Sequence, residues 1–418
     1  MRHLLILGAG TAGTVMANRL SRALRREMTR GDLQITIVDE DPLHIYQPGL
    51  LFLPFGIYEE DQLTRRRAPT LPKRVRYVQS RIESMDLATD TVTLASGEVL
   101  SYDLCIVATG TRIAPEETEG MLGAGWQEKV FDFYTLRGAS LLRGALEKFT
   151  GGRLVVNVVE MPIKCPVAPL EFVFLADAYF TKRGIRDQVE IVYATPLDGA
   201  FTKPVSSQQL GHLLGEKGIK LETEFNTGRV DGDAGELVSW DERVIPFDLL
   251  VTIPTHKGAA FIERSPGLGD AMSFVPTDAH TLQSLVKANV FAIGDATTLA
   301  TSKAGSVAHF EAEVLTENVL RYLRGEELKP DFDGHANCFI ETGHGKALLI
   351  DFNYETEPLP GRFPFAWGPI PLLKESRLAH AGKLAFRHVY WNALLPGHDF
   401  PGIPSQMKRT GKRFPAAV

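Results

Sequence analysis

Between Leu154 and Phe180 the chain reads LVVNVVEMPIKCPVAPLEFVFLADAYF. The turn at its centre sets Cys165 beside Lys164 and between Pro162 and Pro166, and Glu171 follows six residues later. A cysteine at the entry to a helix can do chemistry. The helix dipole and a neighbouring lysine favour the thiolate, which is the nucleophilic form. Glu171 falls about one turn into the helix, where it can act as a base towards an incoming thiol. The plainer alternative is a buried structural cysteine, the usual state of a free Cys. The chain holds three cysteines, Cys105, Cys165 and Cys338. They are too few for a disulfide scaffold and lack zinc-ligand spacing, so no metal site is expected. Cys105 sits inside an apolar run between Leu104 and Ile106 and reads as core.

A strand–turn–helix is also where nucleotide-binding folds place a glycine-rich phosphate loop. The N-terminus has one. HLLIL is an apolar strand, Gly8-x-Gly10-x-x-Gly13 follows, and a helix comes next. Gly8 permits the tight turn, Gly10 lets the backbone approach a pyrophosphate, and Gly13 lets helix and strand pack closely. The helix N-terminus then turns its unpaired N–H groups towards phosphate. The second strand, LQITIVDED, ends at Asp39, placed to bind a ribose hydroxyl. The later unit around Cys165 repeats the strand (154–159), the helix (170–180) and a next strand QVEIVYA, with no glycine in the turn. Side chains there obstruct a pyrophosphate, so the fold is expected and NADH binding is not.

Two further segments carry a resemblance. YDLCIVATGTRIAP is a strand ending at Ala108, Thr109 and Gly110, and ANVFAIGDATTLATSKAGSVAHFE runs through Gly294 and Asp295 to Lys303, Gly305 and a helix from about Ser306. With the opening motif they resemble the two-dinucleotide-domain flavoproteins. That implies non-covalent FAD, with Asp295 on the ribityl chain and the following helix N-terminus facing the flavin ring, where it stabilises negative charge. Lys303 is either a further stabiliser of flavin charge or a solvated lysine. The implied architecture is α/β: an FAD-binding Rossmann domain from 1–112 and 285–335, a second Rossmann-like domain at 113–284, and a C-terminal quinone and membrane-docking region at 336–418.

MPIKCPVAPLEF, IPTHKGA, TSKAGSVAHFE and CFIETGHGKALLIDF resemble the sulfide:quinone oxidoreductases and the related flavocytochrome c sulfide dehydrogenases. The resemblance implies that Cys165 and Cys338 form a redox pair facing the flavin, that Glu171 serves that pair, and that Phe339 lines a quinone site. It implies oxidation of hydrogen sulfide, with electrons passing to a membrane quinone. The region GWQEKVFDFYTLRG lacks the extra cysteine many such enzymes carry, so a thioether to the flavin is not expected. His256 in IPTHKG is a candidate proton carrier or a core histidine. An NADH:quinone oxidoreductase, a flavocytochrome c flavoprotein and a non-enzymatic flavoprotein are the competing readings.

The net charge of −6 argues against nucleic acid as a partner. It is unevenly spread: 361–418 holds nine Lys/Arg and two acids. No run of 18 or more apolar residues suits a spanning helix, and MRHLLILGAGTAG reads as a core strand rather than a cleavable signal. A helix is expected over 375–395, with Leu378, Ala381, Ala385, Val389 and Trp391–Leu395 on an apolar side and Lys374, Arg377, Lys383 and Arg387 on a polar one. It suits an interfacial helix on an anionic membrane surface, helped by the basic cluster KRTGKR. The location expected is therefore peripheral on the cell membrane. The same pattern also fits packing on the body or a dimer interface, which would make a homo-oligomer.

Overall fold

The computed structural model describes residues 1–400 and 402–414. Strand β1 (Arg2–Leu7) leads through the glycine turn into helix α1 (Thr11–Ala23). Strands β2 (Leu33–Asp39), β3 (Arg76–Gln79) and β4 (Leu104–Val107) follow in the same sheet. β1 lies at its centre, parallel to β2 on one side and β4 on the other. Leu5 faces both Thr36 and Cys105 in register. β1, β2 and β4 are largely buried on both faces, which is why their sequences are near-continuous apolar runs rather than alternating ones.

The second parallel sheet is built from β5 (Val130–Phe131), β6 (Gly152–Val158), β7 (Val189–Ala194), β8 (Lys220–Glu222) and β9 (Leu249–Ile253), in the order β5-β9-β6-β7-β8. Helix α2 (Ala168–Lys182) crosses from β6 to β7. It is buried from Ala168 to Asp177 because it is covered twice, by the sheet and by a later hairpin. Strand β10 (Val290–Ala292) then returns to the first sheet and pairs in parallel with β4, giving the order β10-β4-β1-β2-β3. Helix α3 (Gly305–Arg324) packs along α1.

The C-terminal part is an antiparallel hairpin, β11 (Ala336–Gly343) and β12 (Lys346–Phe352), extended by β13 (Gly361–Phe363) and β14 (Ile370–Leu372). Helix α4 (Arg377–Val389) lies on the hairpin, is capped by the Ser376 side chain, and runs into a π-helical turn at Tyr390–Leu394. The hairpin presses so closely on α2 that a Cβ at Gly343 would lie 2.5 Å from the Phe174 carbonyl oxygen. Each fully buried Leu or Phe along these seams contributes about 1.5–3 kcal/mol. Among the described residues no helix is long and apolar enough to cross a membrane.

Three parts of the C-terminal expectation need correction. Leu378, Ala381 and Ala385 do face outward, but Tyr390, Trp391, Leu394 and Leu395 are buried against the body. Lys383 is not on the outer polar face; its ammonium points inward. Lys412 of the basic cluster is buried too, 2.5 Å from the Asp351 carboxylate, which also holds His335 at 2.8 Å. The ion pair ties the tail to β12, so only Lys408, Arg409 and Arg413 of that cluster remain exposed.

Candidate active site

The first turn is shaped for a dinucleotide. Gly8 has φ +90°, and a Cβ there would come within 2.6 Å of the Ala108 carbonyl oxygen. A Cβ at Gly13 would fall 1.9 Å from the Gly8 oxygen, so only glycine lets α1 approach β1. At Gly10 a Cβ meets no protein atom within 4 Å. A ligand could approach the backbone there, which is what the motif requires. Gly305, at the N-terminus of α3, opens on free space in the same way. Thr109 keeps a buried hydroxyl with no hydrogen-bond partner beside Ala108 and Gly110, at the end of β4. Asp39 closes β2 and accepts hydrogen bonds from the Ala9 N–H at 2.6 Å and the Asp41 N–H at 3.0 Å. Burial pushes its pKa up, against the pull of Arg67, 3.3 Å away.

Gly294 adopts φ +70°, and its N–H donates to buried Glu311 at 2.6 Å. Among the described residues the Asp295 carboxylate makes no hydrogen bond with the protein and stays available to a polyol. Burial raises its pKa, opposed by Lys303 and Lys164. Two open glycine sites, an orphaned hydroxyl and a free carboxylate fit a bound dinucleotide. Lys303 is buried rather than solvated. Its ammonium is engaged by the carbonyl oxygens of Asp295 (3.0 Å) and Thr297 (2.7 Å), over the Phe274 ring.

The second turn is built differently. Cys165 has φ +48°, a left-handed conformation uncommon for a residue with a side chain. Three hydrogen bonds hold it: its N–H donates to the Lys303 carbonyl at 2.7 Å, and its carbonyl accepts from the Ala168 N–H at 2.9 Å and the Tyr134 hydroxyl at 3.2 Å. The turn is thereby fastened to the loop leading into α3. Cys338, on β11, is buried in the same apolar cluster against which Cys165 packs. The two free thiols lie close enough to act on one another electrostatically, although 173 residues separate them. Cys105 belongs to a different cluster, on the opposite face of the first sheet.

Glu171 is 0 % exposed. Its Oε1 accepts the Glu341 N–H at 2.7 Å and the Lys383 ammonium, while Oε2 has no partner. Burial drives its pKa up to about 7, with Lys383 pulling the other way. Burial pulls Lys383 down, but Glu171, Cys165 and Glu341 outweigh it and the net shift is upward. The Lys383 ammonium also donates to the Phe339 carbonyl at 3.1 Å. Phe339 itself lies against Gly382, where a Cβ would be 3.3 Å from its ring.

One sequence expectation fails here, and one open alternative is narrowed. The Cys165 pKa moves opposite to the expectation: burial pushes it up to about 12 and Glu171 adds to the rise. The cation that opposes this is Lys383, not the adjacent Lys164, whose charge is balanced by Asp295 and Asp132. His256 is 0 % exposed, donates from Nδ1 to the Pro254 carbonyl at 2.9 Å, and is pushed down to about 3 by burial and then Lys164. It is the core histidine of the two alternatives, with no exposed surface. Sequence reasoning missed Tyr134 and Lys383, because nothing local to either marks it as facing Cys165.

Two parallel sheets, a dinucleotide cradle and a thiol pair at the second turn define the α/β fold of the FAD-dependent reductases. The structure is similar to a ferredoxin reductase from Rhodopseudomonas palustris, with a TM-score of 0.63 and 19% identity over 84% of this chain and 83% of that one. It is more similar to the sulfide:quinone oxidoreductase of Aquifex aeolicus, with a TM-score of 0.80 and 19% identity over 95% of this chain and 92% of that one. No family model matches the chain. In sequence it is 27% identical over 402 residues to the mitochondrial sulfide:quinone oxidoreductase of Mus musculus, covering 95% of this chain and 87% of the mouse protein. The chain is a homologue of the sulfide:quinone oxidoreductases over nearly its whole length.

Proposed function

We propose that this chain is an FAD-dependent sulfide:quinone oxidoreductase, which oxidises hydrosulfide and passes two electrons to a membrane quinone. The observation that carries the reading is the convergence of Cys165, Cys338, Glu171 and Lys383 where a second phosphate loop would otherwise lie. When bound, FAD supplies a two-electron relay between the thiol pair and the quinone. Gly8, Gly10, Gly13, Asp39, Ala108, Thr109, Gly110, Gly294, Asp295 and Gly305 hold it without a covalent bond. Lys303 acts through its backbone, by joining the cofactor loop to Cys165.

The working form has Cys165 and Cys338 joined as a disulfide or sulfur-bridged pair. Hydrosulfide attacks one sulfur, a new S–S bond forms, the old one breaks, and the other cysteine leaves as a thiolate. A half-buried thiolate whose conjugate acid sits near 12 calls for a proton or a cation. Glu171, held near 7, can donate the proton, and Lys383 supplies the charge. Phe339 borders the quinone under α4.

The finer reading is that the protein docks peripherally on an anionic membrane surface. Leu378 is 47% exposed and Trp367, stacked on Phe365, is 80% exposed. Exposed Lys408, Arg409 and Arg413 suit lipid headgroups. The test is steady-state reduction of a short-chain ubiquinone analogue by the FAD-loaded protein. Sulfide should drive it, and Cys165→Ser and Cys338→Ser should each abolish it. Undiminished turnover in both variants would contradict the reading.

A further inference from the structure

Glu341 and His380 have no part in the chemistry so far, yet their placement is costly. The Glu341 side chain is 0% exposed, and both its oxygens are hydrogen-bonded to His380 Nδ1, at 3.0 and 2.9 Å. A carboxylate out of water costs several kcal/mol unless paired. His380 is 25% exposed. Among the described residues its Nε2 makes no hydrogen bond, so the ring joins a buried carboxylate to solvent.

The inner end of this pair is the candidate active site. Glu341 and Phe339 are two residues apart on β11 and share its α4-facing side. The Glu341 backbone N–H positions Glu171 by donating to it, and Lys383 is the foremost charge acting on the Glu341 carboxylate. His380 and Lys383 are three residues apart, on one face of α4. From water inward, hydrogen bonds run from His380 to the Glu341 carboxylate; the Lys383–Glu171 ion pair lies beyond it beside Phe339, and among the described residues no hydrogen bond or ion pair joins it to that carboxylate. The other titratable or charged groups facing it are Cys165 and Cys338 inside, and Tyr58 and Arg387 at the α4 edge. Burial raises the Tyr58 hydroxyl, with Arg387 and Lys383 pulling it down, and it donates to the Leu384 carbonyl at 3.1 Å.

Such a route has a defined task, given the reading above. Two-electron reduction of a quinone to a quinol takes up two protons. Hydrosulfide brings one, so the balance HS⁻ + Q + H⁺ → S + QH2 draws one proton from water each turnover. We infer that His380 and Glu341 form the outer part of a relay that carries this proton from solvent towards Lys383 and Glu171, a water molecule bridging the last gap, and so to the quinone. Burial raises the Glu341 carboxyl, opposed by Lys383 and His380, which places it nearer to exchanging a proton at neutral pH than an exposed glutamate.

The test uses the full FAD-loaded chain with its flavin reduced by dithionite, so that it does not depend on sulfide. Reoxidation by the ubiquinone analogue is followed in a stopped-flow instrument for the unaltered protein, His380→Gln and Glu341→Gln. Both variants should reoxidise about tenfold more slowly or worse. Added imidazole should restore His380→Gln and not Glu341→Gln. In the cofactor-free protein, infrared titration should show, beside the buried carboxyls of Glu171 and Glu311, a protonated carboxyl component that Glu341→Gln removes and His380→Gln carries to higher pH. Unchanged reoxidation in either variant, or slowing of His380→Gln that imidazole does not relieve, would overturn the relay. Sulfide-driven flavin bleaching, measured separately, reports on the proposed function and leaves this result standing.

Discussion

The chain builds the same strand–turn–helix twice and uses the two turns for opposite purposes. Between β1 and α1, three glycines keep side chains out of a space where Gly10 opens on nothing. Between β6 and α2, prolines and a left-handed cysteine fill the corresponding place, and a thiol is held where phosphate would be. The difference teaches that a Rossmann unit is a scaffold for its turn. Its sheet register and crossover helix survive when the turn's chemistry is replaced. The second turn also gains neighbours the first lacks. β11 and α4 bring Cys338 and Lys383 over it, so the new site is completed from the far end of the chain.

The largest effect expected is at the first turn. Gly10→Leu should fold with the melting temperature of the flavin-free unaltered protein and carry no flavin, because only a ligand occupies the space the new side chain enters. Gly13→Ala should lose flavin and about 1–3 kcal/mol of stability as well, since its methyl group meets backbone. Flavin absorbance and thermal unfolding of the two variants separate these outcomes. At the second turn, Cys165→Ser and Cys338→Ser should keep flavin. Each should slow sulfide-driven bleaching by about a thousandfold.

A smaller effect concerns Glu171. Its unfolded value is near 4.5 and its folded value about 7. Between those pH values the folded chain holds a proton that the unfolded chain has released, so this carboxyl lowers stability as pH rises through the window. Above about 7 both states are ionised and the dependence ends. Glu171→Gln should remove a decline on the order of 2 kcal/mol, read from urea midpoints at pH 5 and 7.5. The smallest effect belongs to Cys105→Ala. It should cost about 1 kcal/mol and leave sulfide and quinone turnover unchanged, because Cys105 lies in the cluster behind the first sheet.

Much of this was legible in the sequence because it is local. Gly8, Gly10, Gly13 and Asp39 follow from strand-end spacing, and the glycine-free turn is visible as a departure from the same pattern. The helix placed at 170–180 is observed at Ala168–Lys182, and that placed at 375–395 as α4 and its π-helical turn. The charge state of Cys165 was not legible. The helix dipole and Lys164 are local, whereas burial under β11 and the proximity of Glu171 are set by tertiary packing and prevail. Lys383 reads as one of several basic residues on an amphipathic helix. Its inward turn depends on Glu171, which the fold alone brings opposite. Lys412 misleads for the same reason, since Asp351 lies 61 residues away on another element.

The central claim is that the second turn takes electrons from sulfur and not from a nicotinamide. Anaerobic stopped-flow of the FAD-loaded protein tests it most directly, with sulfide in one syringe and NADH in a separate experiment. Rapid loss of flavin absorbance with sulfide, absent in Cys165→Ser and absent with NADH, is the result predicted. Bleaching by NADH with indifference to sulfide would contradict the account.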